Sequence, residues 1–345
     1  MTNAPALPPP PCTPETADDF LSAPSPELMH ELGSWRQRVL VLGAGGKMGL
    51  HLCLMLHRAA PGATITAVSR FSSHRDRETF HQHGIETLPC DLSDAGAVAA
   101  LPASPLVFFL AGVKFGTASD PELLHRMNVL APRLVAERYR GSTIVAFSTG
   151  CVYPFVPVTS SGATEQTPPE PVGAYALSCR QREEEFARVA AQDPSTRVVL
   201  IRLNYSVEFR YGVLVDIARR VLAEEPVDVT MGHVNVIWQR DAIETILRAH
   251  AVAANAAQPL NVTGAAVLRV RDLAEDFGRL FGVTPRFTGT EAPTAWLNDA
   301  SFAHQRWGVP PTSLETMEQW VASWLAAGYP TWGKPTGFEK RDGQF

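Results

Sequence analysis

No apolar run in this 345-residue chain approaches the roughly 18 residues that a membrane-spanning helix needs. The opening stretch, MTNAPALPPPPCTPETADDF, has neither the basic nor the apolar region of a secretory signal, so a cytoplasmic protein is expected. A basic field is missing too. Lys and Arg total 30 against 35 Asp and Glu, a formal charge of −5, and no basic cluster is interleaved with aromatics. Such a surface offers nothing to nucleic acid. Cysteine is scarce and unpatterned: Cys12, Cys53, Cys90, Cys151 and Cys179 are odd in number and form no C-x-x-C pair. Reduced thiols are expected, not a disulfide framework. The ten histidines include no H-x-x-x-H or H-E-x-x-H pair, so no metal site is predicted.

What the chain does have is alternation. Residues 1–35 form a Pro-rich extension, expected to be poorly ordered at its start. Within it, SPELMHELG predicts a short helix with Ser25 as N-cap, Pro26 in the first turn and Gly33 as stop. From Arg38 onward, strand-like runs (RVLVL, TITAV, IETLP, PLVFFL, TIVAFS, RVVLIRL) are separated by helical stretches, the longest predicted over 173–192. Strands alternating with helices predict βαβ crossovers. The fold class expected is α/β: a Rossmann-type doubly wound parallel sheet with a smaller, interleaved C-terminal α/β substrate lobe. The nucleotide-binding part is assigned to 36–203, with 239–264 returning to it. The lobe takes 204–238 and 265–328, and 329–345 is a polar, glycine-containing tail.

The stretch VLVLGAGGKMGLHL sets Gly43, Gly46 and Gly49 at a strand-to-helix junction. One glycine permits the tight turn, a second lets backbone approach a pyrophosphate, and the third allows close helix–strand packing. The helix N-terminus adds positive potential for phosphates. A nicotinamide dinucleotide is therefore the expected cofactor. At the tip of the second strand, Ser69 stands where NAD-binding proteins keep a carboxylate, and Arg70 follows, with Ser72 and Arg75 nearby. A hydroxyl and a guanidinium suit a 2′-phosphate, which favours NADP over NAD. In CDLSD, Asp91 is expected to meet the adenine amino group.

With CDLSD, FFLAG, FSTGCVYP, PVGAYALS and, later, PLNVTG and RDLAEDFGRLFG in order behind the glycine loop, the chain resembles the extended short-chain dehydrogenase/reductase family, the NAD-dependent epimerases and dehydratases. The resemblance spans about Arg38 to Gly328. It implies that Lys47, Met48, Leu92, Ala111 and Gly112 contact the cofactor together with the residues above and Tyr175. It also implies hydride transfer at a carbohydrate hydroxyl, with Tyr175 as acid/base and Thr149, three residues before the Val of the VY pair, bonding the substrate oxygen. Asn204 and Tyr153 are implied as further substrate contacts. Family dimers pair two long helices per subunit, so a homodimer through 121–140 and 173–192 is expected.

One departure stands out. The family's lysine four residues after the tyrosine is Cys179 here. Bringing a tyrosine from pKa ~10 to ~7 takes about 4 kcal/mol of charge stabilisation. Oxidised nicotinamide supplies part of it, and a neutral thiol supplies none. Two cations could substitute. Arg180 is displaced by a ~100° step around the helix, whereas Lys114, just past the fourth strand, lies at the sheet edge where cofactors sit. Lys114 is accordingly the third catalytic candidate. Where nucleotide-sugar enzymes of the family carry a diphosphate-gripping Arg, this chain has Val234, which points to a sugar, sugar acid or lactone ahead of a nucleotide sugar. Arg210, Tyr211, His233 and Trp238 are candidate pocket residues. The alternative reading is a catalytically weak or inactive NADP-binding sensor or scaffold.

Overall fold

The computed structural model describes residues 7–71, 74–114 and 120–344. Ser72 lies outside the described residues, as does the side chain of Arg75. Seven parallel strands form the central sheet. From one edge to the other they are Gln258–Val262, Arg197–Leu203, Thr143–Thr149, Leu106–Phe109, Arg38–Leu42, Thr64–Ser69 and Glu86–Pro89. Arg38–Leu42, Thr64–Ser69, Leu106–Phe109, Thr143–Thr149 and Arg197–Leu203 arise from short runs of β-branched and large apolar residues buried on both faces, whereas the edge strands Glu86–Pro89 and Gln258–Val262 are of mixed composition. Val39 and Val41 enter the core beneath the Gly49–Ala59 and Gln239–Arg248 helices, while Leu40 and Leu42 enter the opposite core beneath Ala131–Arg138 and Gly173–Gln192.

The strand order reverses between Arg38–Leu42 and Leu106–Phe109, with Val39 in register with both Ile65 and Leu106. A reversal of this kind opens a crevice at the carboxyl ends of the strands. The glycine loop leaves one of these strands and Ala111 follows the other.

The second layer of structure is the C-terminal lobe. Its core joins Phe209, Trp238, Phe277, Trp296 and Trp324 with the Val213–Leu222, Val270–Phe281 and Leu314–Ala326 helices. The Gln239–Arg248 helix and the Gln258–Val262 strand pack back on the main sheet.

The very start of the extension, residues 1–6, lies outside the described residues, and the described remainder of both termini is packed. From Leu7 the N-terminal segment is packed: Ala17 and Leu21 are fully buried against the lobe, and Leu28 against the sheet core. Its helix Pro26–Leu32 has the predicted Ser25 cap, whose Oγ accepts from Leu28 N at 3.1 Å. An additional helix, Ala17–Leu21, is fixed by Asp18, which bonds His51 at 2.9 Å and Arg210 at 3.0 Å. The polar C-terminal tail is likewise held against the molecule, with Phe338 only 3% exposed.

Candidate active site

The glycine loop turns at Gly43, whose φ of 87° is left-handed; a Cβ there would stand 2.5 Å from Ala111 N. Gly49 packs so closely on the start of the loop that a Cβ would meet Ala44 O at 2.2 Å. Two clefts open from this loop. One, of about 230 Å³, is lined by Ser69, Arg70, Asp91, Leu92 and Ala111. The other, of about 400 Å³, is lined by Lys47, Met48, Lys114, Thr149, Tyr175 and Asn204. Gly43, Gly46, Leu110 and Gly112 line both, so the two form one elongated trough over the N-terminus of the Gly49–Ala59 helix. Backbone that tolerates no Cβ, a positive helix end and a trough running both ways fit a dinucleotide. In the smaller cleft, Asp91 is held below the usual carboxylate range by hydrogen bonds from Ser93, with Arg70 contributing.

At the far end of the larger pocket, Thr149 closes the Thr143–Thr149 strand. Its Oγ1 accepts from Cys151 N at 3.2 Å and caps a tight turn over Gly150–Val152, which leaves the hydroxyl proton to donate. Its neighbour Ser148 instead donates to Glu183 Oε1 at 2.6 Å. That carboxylate is fully buried and also takes two bonds from Arg202, at 2.9 and 2.8 Å.

Tyr175 lies in the first turn of the Gly173–Gln192 helix. Burial pushes its hydroxyl well above the ordinary range. Cys179, in hydrogen-bonding contact with it, and Cys151 push the same way, and Arg182 opposes them. Lys114 brings its Nζ to 5.8 Å from the Tyr175 ring centroid and donates to Thr336 O at 3.3 Å. Burial lowers the Lys114 pKa, an effect partly offset by Cys151, Cys179, Glu339 and Asp216. A second amine, Lys47, sits 3.1 Å over the Tyr211 ring, its pKa lowered to about 8 by burial and by Lys334 and Lys114.

Asn128 was not anticipated from sequence, and it ties these parts together. A π-turn, Arg126–Leu130, interrupts the predicted continuous helix and aims Asn128 inward. Its amide bonds Val113 N and Val113 O, both at 2.9 Å, beside Lys114, and donates to Ser178 Oγ at 2.9 Å on the tyrosine's helix. Arg182 Nη2 donates to the same amide oxygen at 2.7 Å. The signal available in the sequence was a poor helix former standing on the apolar stripe of Leu124, Ala131 and Val135.

Other candidates fall elsewhere. Tyr153 is 1% exposed and does not line the pocket; its hydroxyl donates to Asn261 Oδ1 at 2.9 Å beneath the Arg202 guanidinium. Arg180 turns to Glu183 and Glu184. Trp238 is buried among Phe209 and Trp320, and His233 pairs in a two-residue strand with Arg269. Tyr211 does line the pocket, whereas Arg210 lines an adjoining cavity of about 340 Å³.

A family model described as the NAD dependent epimerase/dehydratase family matches residues 39–262. Solved structures with the same fold include the Thermotoga maritima UDP-glucose 4-epimerase with UDP-glucose (18% identical, TM-score 0.71, covering 84% of this chain and 99% of that one). The Thermus thermophilus UDP-glucose 4-epimerase complexed with NAD is 21% identical with a TM-score of 0.68, at 84% and 99% coverage. The Bacillus cereus UDP-glucuronic acid 4-epimerase with NAD is 16% identical with a TM-score of 0.69, at 85% and 99%. No curated protein matches the sequence.

Proposed function

The chain belongs to the NAD-dependent epimerase/dehydratase family, and on that premise we propose that it is an NAD(P)-dependent enzyme acting on a hydroxyl-bearing carbon of a carbohydrate-type substrate. The observation that carries this reading is the convergence of Tyr175, Thr149 and Lys114 on one pocket beside the glycine loop. When bound, the nicotinamide would accept a hydride from the substrate carbon and could return it. Gly43, Gly46, Lys47, Met48 and Gly49 would hold the phosphates and nicotinamide end; Ser69, Arg70, Asp91, Leu92, Ala111 and Gly112 would hold the adenosine end. Exposed Arg70 beside Ser69 supports NADP over NAD.

Thr149 would donate its hydroxyl proton to the substrate oxygen, orienting it toward Tyr175. Tyr175 would take the hydroxyl proton as the carbon is oxidised and give it back on reduction. Lys114, from a loop, would supply the positive charge that Cys179 cannot. Asn204, in the same pocket, would contact the sugar. Val234, fully buried, has no group to grip a diphosphate, which supports a sugar, sugar acid or lactone over a nucleotide sugar. A homodimer and a cytoplasmic location belong to the same reading.

The second reading, an NADP-binding sensor or scaffold, draws on the upward push that burial and Cys179 give Tyr175. Incubation with NADP⁺ or NAD⁺ and a panel of sugars, sugar acids, lactones and UDP-sugars separates the two, following nicotinamide absorbance and isomers formed. Turnover abolished by Tyr175→Phe supports the enzyme. Tight cofactor binding that alters self-association, with no turnover on any substrate, supports the sensor.

A further inference from the structure

The chain beyond the Leu314–Ala326 helix lies outside the matched family region, yet it contributes to the pocket. We propose that residues 332–343 are a strap that positions Lys114 for the reaction, with Thr336 and Asp216 as its positioning residues; this rests on the catalytic reading of Lys114 above.

A lysine on a helix one turn from the tyrosine would be aimed by the helix itself. Lys114 stands on a loop, and its long side chain has rotamer freedom to lose before it can act. A group that receives its ammonium is the main-chain carbonyl of Thr336, at 3.3 Å. That carbonyl belongs to no helix or strand, so its position depends on anchors. Two are immediate: Thr336 N and Thr336 Oγ1 both donate to Asp216 Oδ2, each at 2.7 Å, on the Val213–Leu222 helix.

The remaining anchors bracket the pocket. Before Thr336, Trp332 N donates to Arg210 O at 3.1 Å, and its indole stacks on Tyr211 at 5.9 Å. After it, Phe338 is buried in the lobe core. Arg341 donates to Thr294 O and Thr294 Oγ1 at 2.6 and 2.7 Å and lies 4.1 Å over the Phe155 ring. Gly343 finally packs on Val172 and Gly173, where the tyrosine's helix begins; a Cβ at 343 would stand 2.2 Å from Val172 O. The strap thus spans from the aromatic pair beside Lys47 to the first turn of the helix carrying Tyr175.

The test uses the full-length protein, saturated with NADP⁺, and needs no substrate. Competitive acetylation with limiting acetic anhydride, read by peptide mass spectrometry against N-acetyl-lysine amide, gives the pH midpoint of Lys114. Phenolate absorbance, taken as the difference from Tyr175→Phe, follows ionisation of Tyr175. In Asp216→Ala, Lys114 loses both the held carbonyl and the nearby carboxylate that favour its charged form, so its midpoint should fall by about one pH unit, a tenfold change in deprotonated fraction. Tyr175 ionisation should move up in parallel with that of Lys114→Met. Asp216→Asn, which keeps an acceptor oxygen but not the charge, should recover the positional part of both shifts, and Thr336→Val, which removes one anchor and keeps the carbonyl and the carboxylate, should be intermediate. Thermal melting confirms that each variant is folded; should Asp216→Ala not fold, Thr336→Val carries the test. If Lys114→Met moves Tyr175 and folded strap variants move neither group, the strap proposal is overturned while the catalytic reading of Lys114 survives. If Lys114→Met leaves Tyr175 unmoved, both are overturned.

Discussion

Replacing Lys114 by Met removes an ammonium 5.8 Å from the centre of the Tyr175 ring while keeping a side chain of similar length. At an effective dielectric of ~20, a unit charge at about 6 Å from another contributes about 3 kcal/mol. That corresponds to about two pKa units on the tyrosine. Losing the cation disfavours the phenolate, so the Tyr175 pKa rises and less of it is ionised at any given pH. The acid limb of the pH–rate profile should therefore move up by about two units, and turnover near neutrality should drop about 100-fold. Cofactor affinity should stay within a few-fold. The alkaline side carries a second signature. Burial holds the Lys114 pKa below the ordinary lysine value, so the charge is lost earlier than usual as pH rises. This inflection should vanish in the Met variant. The assay is initial rate against pH on whichever carbohydrate the panel identifies. A Met variant whose profile superimposes on the wild type would show that the ammonium has no part in ionising Tyr175.

Other substitutions test separate parts of the structure. Arg70→Ala should weaken NADP by about 1.5–3 kcal/mol, the worth of a charge-assisted hydrogen bond, and NAD far less, by calorimetric titration; equal weakening of the two would exclude 2′-phosphate recognition. Glu183→Gln leaves Arg202, 2% exposed, without its buried carboxylate, and should cost about 3–5 kcal/mol in urea denaturation. A loss under about 1 kcal/mol would mean the pair contributes little. Asp18, despite burial that opposes ionisation, is held at about 2 by His51 and Arg210, below its ordinary 3.8. Its contribution is present above pH ~4 and is lost as pH falls through about 2. Because the side chain is 38% exposed, Asp18→Asn should cost only about 1 kcal/mol at neutral pH. The deficit, measured by denaturation at several pH values, should narrow toward acid.

The central strands of the sheet were legible because each is a short run whose burial is encoded locally. RVLVL and TIVAFS correspond to Arg38–Leu42 and Thr143–Thr149 within a residue. The glycine loop was legible for a related reason, since three glycines at one turn are a local requirement. What sequence concealed is long-range. The Ala17–Leu21 helix has five residues and is held by Arg210 and His51, far along the chain. The tail shows no periodicity, because its anchors are single side chains separated by turns. Thr336 acts through a main-chain carbonyl, which every residue type possesses, so no residue pattern could reveal it. Tyr153 illustrates the opposite error. It stands four residues after Thr149, but the tight turn over Gly150–Val152 carries it beneath the pocket to Asn261.

If Lys114 supplies the charge, as proposed, position 179 gives a reason for its coming from elsewhere in this fold. Cys179 is fully buried and packs with Val152, Tyr153 and Ala163, an apolar wall that offers an ammonium no partner. An ammonium there would also approach Arg182, whose guanidinium is already committed to Phe147 O at 3.1 Å and to Asn128. Burying a second cation beside it would cost several kcal/mol without a carboxylate to receive it. Glu183, the carboxylate whose charge is felt at Cys179, is already shared by Ser148 and Arg202. A loop lysine on the pocket side avoids that juxtaposition with Arg182, because it lines the trough and its head reaches a carbonyl. The consequence is a different dependence. A helix lysine is aimed by its own backbone, whereas Lys114 is aimed by Asn128 on one side and a docked tail on the other. Loss of either contact should therefore weaken the chemistry without altering any residue that touches the substrate.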